Sequence, residues 1–266
     1  MFLLVNNISL MIITKQKYNE LIAETICLFS KLNNKNYLIN RNILNSIITT
    51  TKIVPEIICQ NMDKILMYES KDNIYVQLLD ITTKKIYNTS TLFCYKGDIT
   101  KLKVDAIVNA GNSALLGCFV PDHMCVDNII HCKAGCRMRN ECVKIMIDTI
   151  ATNGSVIITK AYNLPSNYVF HAVGPNIINN NPTKENKNEL YLCYWNSLDL
   201  CEKNNLKSIA FTNISTGLFG YPIDLATNVA MTAVYDWLQK KPFYNINIVF
   251  CTFTDENYKE YLKYFY

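Results

Sequence analysis

Apolar residues along this chain recur first at helical spacing and later in short continuous runs. Over residues 15–31 (KQKYNELIAETICLFSK), Tyr18, Leu21, Ile22, Ile26, Leu28 and Phe29 fall mostly three or four positions apart, which predicts an amphipathic helix. Residues 41–51 predict a second short helix. Pro55 stands where a third can begin, continued by Ile57, Ile58, Met62, Ile65 and Leu66. The period changes over 72–95 (DNIYVQLLDITTKKIYNTSTLFCY), where alternating and β-branched residues predict one or two strands. A boundary between an N-terminal helical extension (1–85) and a main domain (86–266) is expected there.

From Phe93 onward strands and helices alternate. VDAIVNA (104–110) is a continuous apolar run, as expected of a strand buried on both faces. A helix is predicted from about Asp127 to Met146. SVIITKAYN (155–163), YVFHAVG (168–174), SIAFTNI (208–214) and NINIVFC (245–251) read as further strands. Helices are predicted within 183–204, from Pro222 to Lys240, and over 255–265, the last capped by Asp255. The alternation implies an α/β fold, a three-layer sandwich. In such sheets ligands sit beyond the carboxyl ends of the strands, beside helix N-termini.

Composition narrows this picture. At 266 residues the chain has length for one large domain, or one domain with an extension. The net charge is only +4, the lysines are scattered and there are three Arg, so no nucleic-acid partner is expected. Eleven Cys lack the spacing of a disulfide scaffold, which fits a reducing, cytoplasmic setting. Cys132, Cys136, Cys142, Cys193 and Cys201 read as core, as do Tyr194, Trp195 and His171. The opening MFLLVNNISLMII is apolar but carries no basic flank and is interrupted by Asn; neither a signal peptide nor a membrane span is expected. Met11 offers a second start.

Three loops follow strands and converge on one crevice. In Lys96-Gly97-Asp98-Ile99-Thr100, Asp98 is either an ordinary turn residue or a carboxylate that accepts from an amino group. Asn109-Ala110-Gly111-Asn112-Ser113 is either turn chemistry or a pair of uncharged groups for sugar hydroxyls. Ile214-Ser215-Thr216-Gly217-Leu218-Phe219-Gly220-Tyr221-Pro222 carries two Gly and runs into a helix, so its backbone N–H groups suit an anion such as a diphosphate. A fourth group crowds Cys118, His123 and Cys125 into eight residues, which is either chance in a Cys-rich chain or a metal site.

Taken in order, GDIT, DAIVNAGNSALLG, IIHCKAG, FHAVGP and ISTGLFGYP resemble the macrodomain family over about residues 92–266. Within it they are similar to MacroD-type protein ADP-ribosylhydrolases. The resemblance implies a three-layer α/β/α sandwich with a mixed sheet that binds ADP-ribose. It implies adenine contacts for Asp98 and Ile99, and distal-ribose contacts for Asn109 and Asn112. Ser215, Thr216, Gly217, Leu218, Phe219, Gly220 and Tyr221 would surround the phosphates and that ribose, with Phe219 over the sugar. Asn112, Asp127 and Phe219 are the implied catalytic residues. Asp127 stands where the family keeps an acid at the head of a helix, a place also suited to a helix cap.

One departure is informative. Where ordinary MacroD-type members continue in glycines, this chain has Gly117-Cys118-Phe119-Val120-Pro121-Asp122-His123-Met124-Cys125-Val126-Asp127. This resembles the zinc-containing macrodomains of bacteria and some eukaryotic microbes, which also carry an N-terminal helical extension. The resemblance implies Zn2+ on Cys118, His123 and Cys125; by position alone Cys132 or His131 of the following helix could close the site, but the family pattern places both outside the metal. Three protein ligands leave a position open, which allows a zinc to lower the pKa of a water towards about 7 or to polarise a substrate oxygen. The expected activity is zinc-dependent hydrolysis of mono-ADP-ribose, in an N- or O-glycosyl or ester linkage, from a modified protein. In some relatives that partner is a lipoate carrier modified by a sirtuin-like ADP-ribosyltransferase. A monomer without membrane association is expected. The alternatives are a non-enzymatic reader with a structural zinc, or deacylation of O-acetyl-ADP-ribose.

Overall fold

Thr14 starts the first helix, its hydroxyl accepting from the Lys17 N–H, and α1 runs over Lys15–Asn33. Asn40 caps α2 (Arg41–Thr50) in the same way, and α3 (Glu56–Ser70) begins directly after Pro55. The computed structural model describes residues 13–266, so the apolar opening stretch, apart from Ile13, lies outside the described residues. The three helices bury Leu21, Ile26, Phe29, Leu44, Ile58 and Met62 against one another. Arg41 ties α2 to α3 by a forked pair with Glu69, at 2.5 Å and 3.0 Å, and Tyr18 adds a hydrogen bond to the same carboxylate at 2.8 Å.

The remaining elements are β1 (Lys84–Tyr87), β2 (Ser90–Lys96), β3 (Ala106–Gly111), α4 (Val126–Ala134), α5 (Cys136–Ile145), β4 (Val156–Lys160) and β5 (Tyr168–Val173). They continue as α6 (Lys184–Lys203), β6 (Ser208–Phe211), α7 (Ile223–Lys240), β7 (Asn247–Thr252) and α8 (Asp255–Leu262). The strands form one seven-stranded sheet in the order β1-β2-β7-β6-β3-β5-β4. Both outer strands, β1 and β4, pair antiparallel with their neighbours, and the five inner strands are parallel. The sheet is therefore mixed.

Strand alternation assigns the two faces. On β3, Ala106 and Val108 point into a core with Leu190, Tyr194, Val234 and Trp237 of α6 and α7. Ile107 points the other way, into a core with Ile130, Ala134 and Met138 of α4 and α5. Helices thus cover both faces of the sheet. The parallel strands end at one edge, and the loops after β2, β3, β5, β6 and β7 gather there. No helix of the described residues is long and apolar enough to cross a membrane.

The structure revises three local expectations. The helix predicted from 127 to 146 is two helices broken at Gly135, which takes φ +92°. A Cβ there would press on Asn163 and Leu66 at 3.0 Å, so the break belongs to the packing of α3. Asp255 is not the cap of α8: Thr254 is, and Asp255 pairs with Lys96 at 2.5 Å. Cys132 is half-buried, whereas Cys136, Cys142, Cys193 and Cys201 are core.

Arg139 of α5 joins the N-terminal helices to the rest. Its side chain is 2% exposed and Nη1 donates to the carbonyls of Ile48, Thr49 and Thr51 at 2.6, 2.7 and 3.2 Å. A buried cation there is compensated by the negative end of α2. Asn140 makes two further bonds to the Val54 backbone.

Candidate active site

A cleft opens at the carboxyl edge of the sheet. A cavity of about 250 Å3 is lined by Asn112, Cys118, His123, Cys125, Asp127 and the loop from Asn213 to Phe219. A second cavity, of about 700 Å3, is lined among others by Asp98, Ile99, Thr212, Phe253, Asn42 and Asn45, and it shares His123 and Val126 with the first. The two cavities adjoin at His123 and Val126, with Asp127 lining the first and Asp98 the second.

Asp98 is fixed by its own loop, Oδ1 accepting from the Thr100 N–H at 2.9 Å and from its hydroxyl at 2.7 Å. Asn112 spans its loop: Nδ2 donates to Gly117 O at 3.0 Å and Oδ1 accepts from Ala114 N at 3.0 Å. Between them these bonds fix the two ends of the segment that leads to the Cys/His group.

Asn109 does not face the cleft. β3 continues to Gly111, so Asn109 shares the face of Ile107 and points under α4. It is fully buried; Nδ2 donates to Asp127 Oδ1 at 2.7 Å and lies 3.2 Å from His171 Nδ1. Asp127 is in the first turn of α4, but Cys125 is the cap residue, its Sγ accepting from Asn128 N at 3.4 Å. Burial pushes the Asp127 carboxyl up to about 6, against the Asn109 hydrogen bond and the Arg139 charge, which both act downward. His131 lies 3.5 Å from the same oxygen. Burial holds its imidazole well below the ordinary range, with Arg139 and His171 acting in the same direction. The contact is thus with a neutral ring. His171 is also buried, with Nε2 3.0 Å from Thr159 Oγ1.

Cys118, His123 and Cys125 bring their ligand atoms within 4.8 Å of one another, and all three are half-buried. His123 Nδ1 is buried without a hydrogen-bond partner. Two sulfurs and one imidazole suit a borderline-soft divalent ion. Burial raises the Cys125 thiol to about 12, and the adjacent Cys118 adds to the effect; a cation between them acts in the opposite sense. The loop itself is irregular. Leu115, Phe119 and Asp122 take φ of 56°, 54° and 58°, a left-handed geometry that glycines adopt freely and that costs a residue like Phe roughly 1–3 kcal/mol.

The loop after β6 is held from below. Ser215 takes φ 64°, and Tyr221 N returns to Ser215 O at 2.9 Å. Gly174, at the end of β5, lets it approach: a Cβ there would run into Ser215 Oγ and lie 2.6 Å from Ile214 Cγ2. Ser215, Thr216, Gly217, Leu218 and Phe219 line the first cavity, with the Leu218 side chain turned out at 84% exposure. Gly220 and Tyr221 do not line it; Gly220 closes a turn onto Gly217 O at 3.0 Å, and Tyr221 is buried. Gly174, Asn213 and Phe253 also line the two cavities, and nothing in a linear string marks which strand end meets which loop. Arg139 carries no local signal either, since its partners lie about 90 residues earlier.

Comparison with known proteins agrees with this architecture. The family model for the Macro domain matches residues 108–230. The protein-ADP-ribose hydrolase of Staphylococcus aureus (strain MSSA476) is 41% identical over 186 residues, covering 68% of this chain and 70% of that protein. A mutant of the Oceanobacillus iheyensis macrodomain with ADPR superposes with a TM-score of 0.61 at 35% identity, covering 68% of this chain and 96% of its own. The Trypanosoma brucei macrodomain in complex with ADP-ribose gives 0.62 at 28% identity, covering 83% and 94%. On fold, cleft and sequence identity together, this chain belongs to the macrodomain family.

Proposed function

We propose that this protein is a zinc-dependent hydrolase that releases mono-ADP-ribose from a modified protein. The observation that carries the reading is the convergence of Asp127, Asn112 and the Cys118/His123/Cys125 group in one cavity, joined to a second cavity that holds Asp98. The name of the S. aureus relative and the ligand in the T. brucei structure support the substrate class.

In this reading Asp98 accepts from the adenine amine with the oxygen that Thr100 leaves free, and Ile99 packs on the base. The backbone of Ser215–Phe219, just ahead of the N-terminus of α7, binds the diphosphate. Phe219 packs over the distal ribose, and Asn112 holds its hydroxyls. A carboxyl with a pKa of about 6 is poised near neutrality, so Asp127 acts as the general base that takes a proton from the attacking water. Asn109 fixes which oxygen does so. Cys118, His123 and Cys125 would hold Zn2+, which when bound supplies Lewis-acid polarisation at the anomeric linkage.

The partner in view is a lipoate-carrying protein modified by a sirtuin-like transferase, a setting supported by the family resemblance. All eleven cysteines are free in the structure, which suits a reducing compartment such as the cytoplasm.

The test is direct. An ADP-ribosylated protein is incubated with wild type and with Cys125→Ala, and free ADP-ribose is measured. Loss of release by at least about a hundredfold in the variant is expected if the Cys/His group supplies transition-state stabilisation of a few kcal/mol. Equal release by both proteins removes the zinc-dependent reading.

A further inference from the structure

We propose that Thr49 and Asn128 are positioning residues, through which helix α2 of the N-terminal segment holds the 118–125 loop in its working place. The inference rests on the reading above that this loop carries the reacting end.

Thr49 lies near the end of α2 and is 1% exposed. Its hydroxyl donates to Asn128 Oδ1 at 3.2 Å. Asn128, in the first turn of α4, spends its other side-chain atom on the loop, Nδ2 donating to His123 O at 2.9 Å. Its backbone N–H meets Cys125 Sγ at 3.4 Å. One residue thus touches the backbone of one candidate ligand and the sulfur of another, and is itself held by α2.

Two further contacts come from the same direction. Ser46 Oγ of α2 donates to Asp122 Oδ1 at 3.1 Å, beside His123 and at a left-handed position. Arg139, which binds the carbonyls at the end of α2, stands 5.4 Å over the Phe119 ring. Asn42 and Asn45 of α2 also line the larger cavity.

The loop needs such support. It has no regular secondary structure, and Phe119 and Asp122 hold a backbone that favours other conformations. Groups that act at a reacting centre depend on neighbours that fix them, and a side chain free by an ångström loses most of its effect. Packing alone at position 49 would be met by valine, which has nearly the same shape; the hydroxyl adds the bond to Asn128.

Thr49→Val and Thr49→Ser separate the hydroxyl from the shape. Hydrogen exchange of the 118–125 peptide is measured by mass spectrometry, together with kcat and KM on an ADP-ribosylated protein, the Kd for ADP-ribose, and Tm. One neutral hydrogen bond supports an effect of roughly five- to tenfold. In Thr49→Val the peptide is expected to exchange faster, and kcat to fall, each by that factor. KM, the ADP-ribose Kd and Tm stay close to wild type, and Thr49→Ser restores the loop and kcat. Unchanged loop exchange in Thr49→Val overturns the proposal, as does faster exchange with unchanged kcat, or a serine variant no better than valine. A general rise in exchange with a large fall in Tm assigns Thr49 a merely structural role and also overturns it. If Thr49→Val does not fold, Asn128→Asp is measured in its place, which keeps the acceptor for Thr49 and removes the donor to His123 O; faster loop exchange and a lower kcat at unchanged Tm are expected, and unchanged exchange overturns the proposal. A wild type without turnover removes the hydrolase reading alone, because the exchange comparison still decides whether α2 holds the loop.

Discussion

Asn109 and Asp127 meet 2.7 Å apart beneath the cleft, the amide Nδ2 donating to the carboxylate Oδ1. Both side chains are buried, and this bond is a downward influence on a carboxyl that burial has pushed up. In the proposed mechanism this bond makes Asn109 a support for Asp127. Asn109→Leu keeps the volume and removes the donor. Turnover is expected to fall by roughly tenfold or more, since one hydrogen bond to a charged group is worth about 1.5–3 kcal/mol. ADP-ribose affinity, measured by calorimetry, stays near wild type. A variant with normal turnover would mean that Asp127 needs no such support.

Metal removal separates a working zinc from a clip. The three candidate ligands sit on one loop that ends at the cap residue of α4, away from both sheet cores. Chelation is therefore expected to abolish turnover while the melting temperature falls by only a few degrees, with about one zinc per chain released. A structural staple predicts instead that chelation unfolds the protein. Turnover and melting curves recorded with and without chelator decide the matter.

Gly174→Ala tests the close approach of β5 to the β6 loop. The new methyl would collide with the side chains of Ser215 and Ile214, both buried, so the loop must move outward. ADP-ribose Kd is expected to weaken by about tenfold or more, with a stability loss of roughly 1–3 kcal/mol from overpacking. An unchanged Kd would show that the 213–219 loop does not hold the ligand.

Acid should destabilise the protein through its buried histidines. Burial lowers His171 to about 4, while an unfolded histidine titrates near 6.5. A group whose folded pKa is depressed contributes stability above the unfolded pKa and loses it as pH falls towards the folded one. The loss for His171 thus falls between about pH 6.5 and 4, at about 1.4 kcal/mol per pH unit. Urea midpoints at pH 7 and pH 5 are expected to fall further in wild type than in His171→Gln. Equal falls would place the acid sensitivity elsewhere.

Much of the site was legible because its residue types are unusual for their places. A turn rarely needs the run Ser215–Pro222, and the structure sets Ser215–Phe219 along the cleft. Cys118, His123 and Cys125 fall within eight residues, a spacing that one loop can span, and their ligand atoms lie within 4.8 Å of one another. Asn109 looks like the start of a loop because it is a polar residue after an apolar run. Two further residues of strand turn it to the inner face, where Asp127 meets it.

The α/β alternation, the doubly buried strand around Ile107 and Val108, and the loops that chemistry would use can all be read from the order of residues. Those follow from side-chain periodicity and local turn preferences, which act over a few residues. That Gly135 divides a helix, that Gly174 admits Ser215, and that Thr49 and Arg139 reach the neighbourhood of the 118–125 loop emerge only once the chain is folded. Each depends on segments about 30 to 90 residues apart meeting in space. No local rule carries such a distance; the burial of two apolar helix faces against one sheet does.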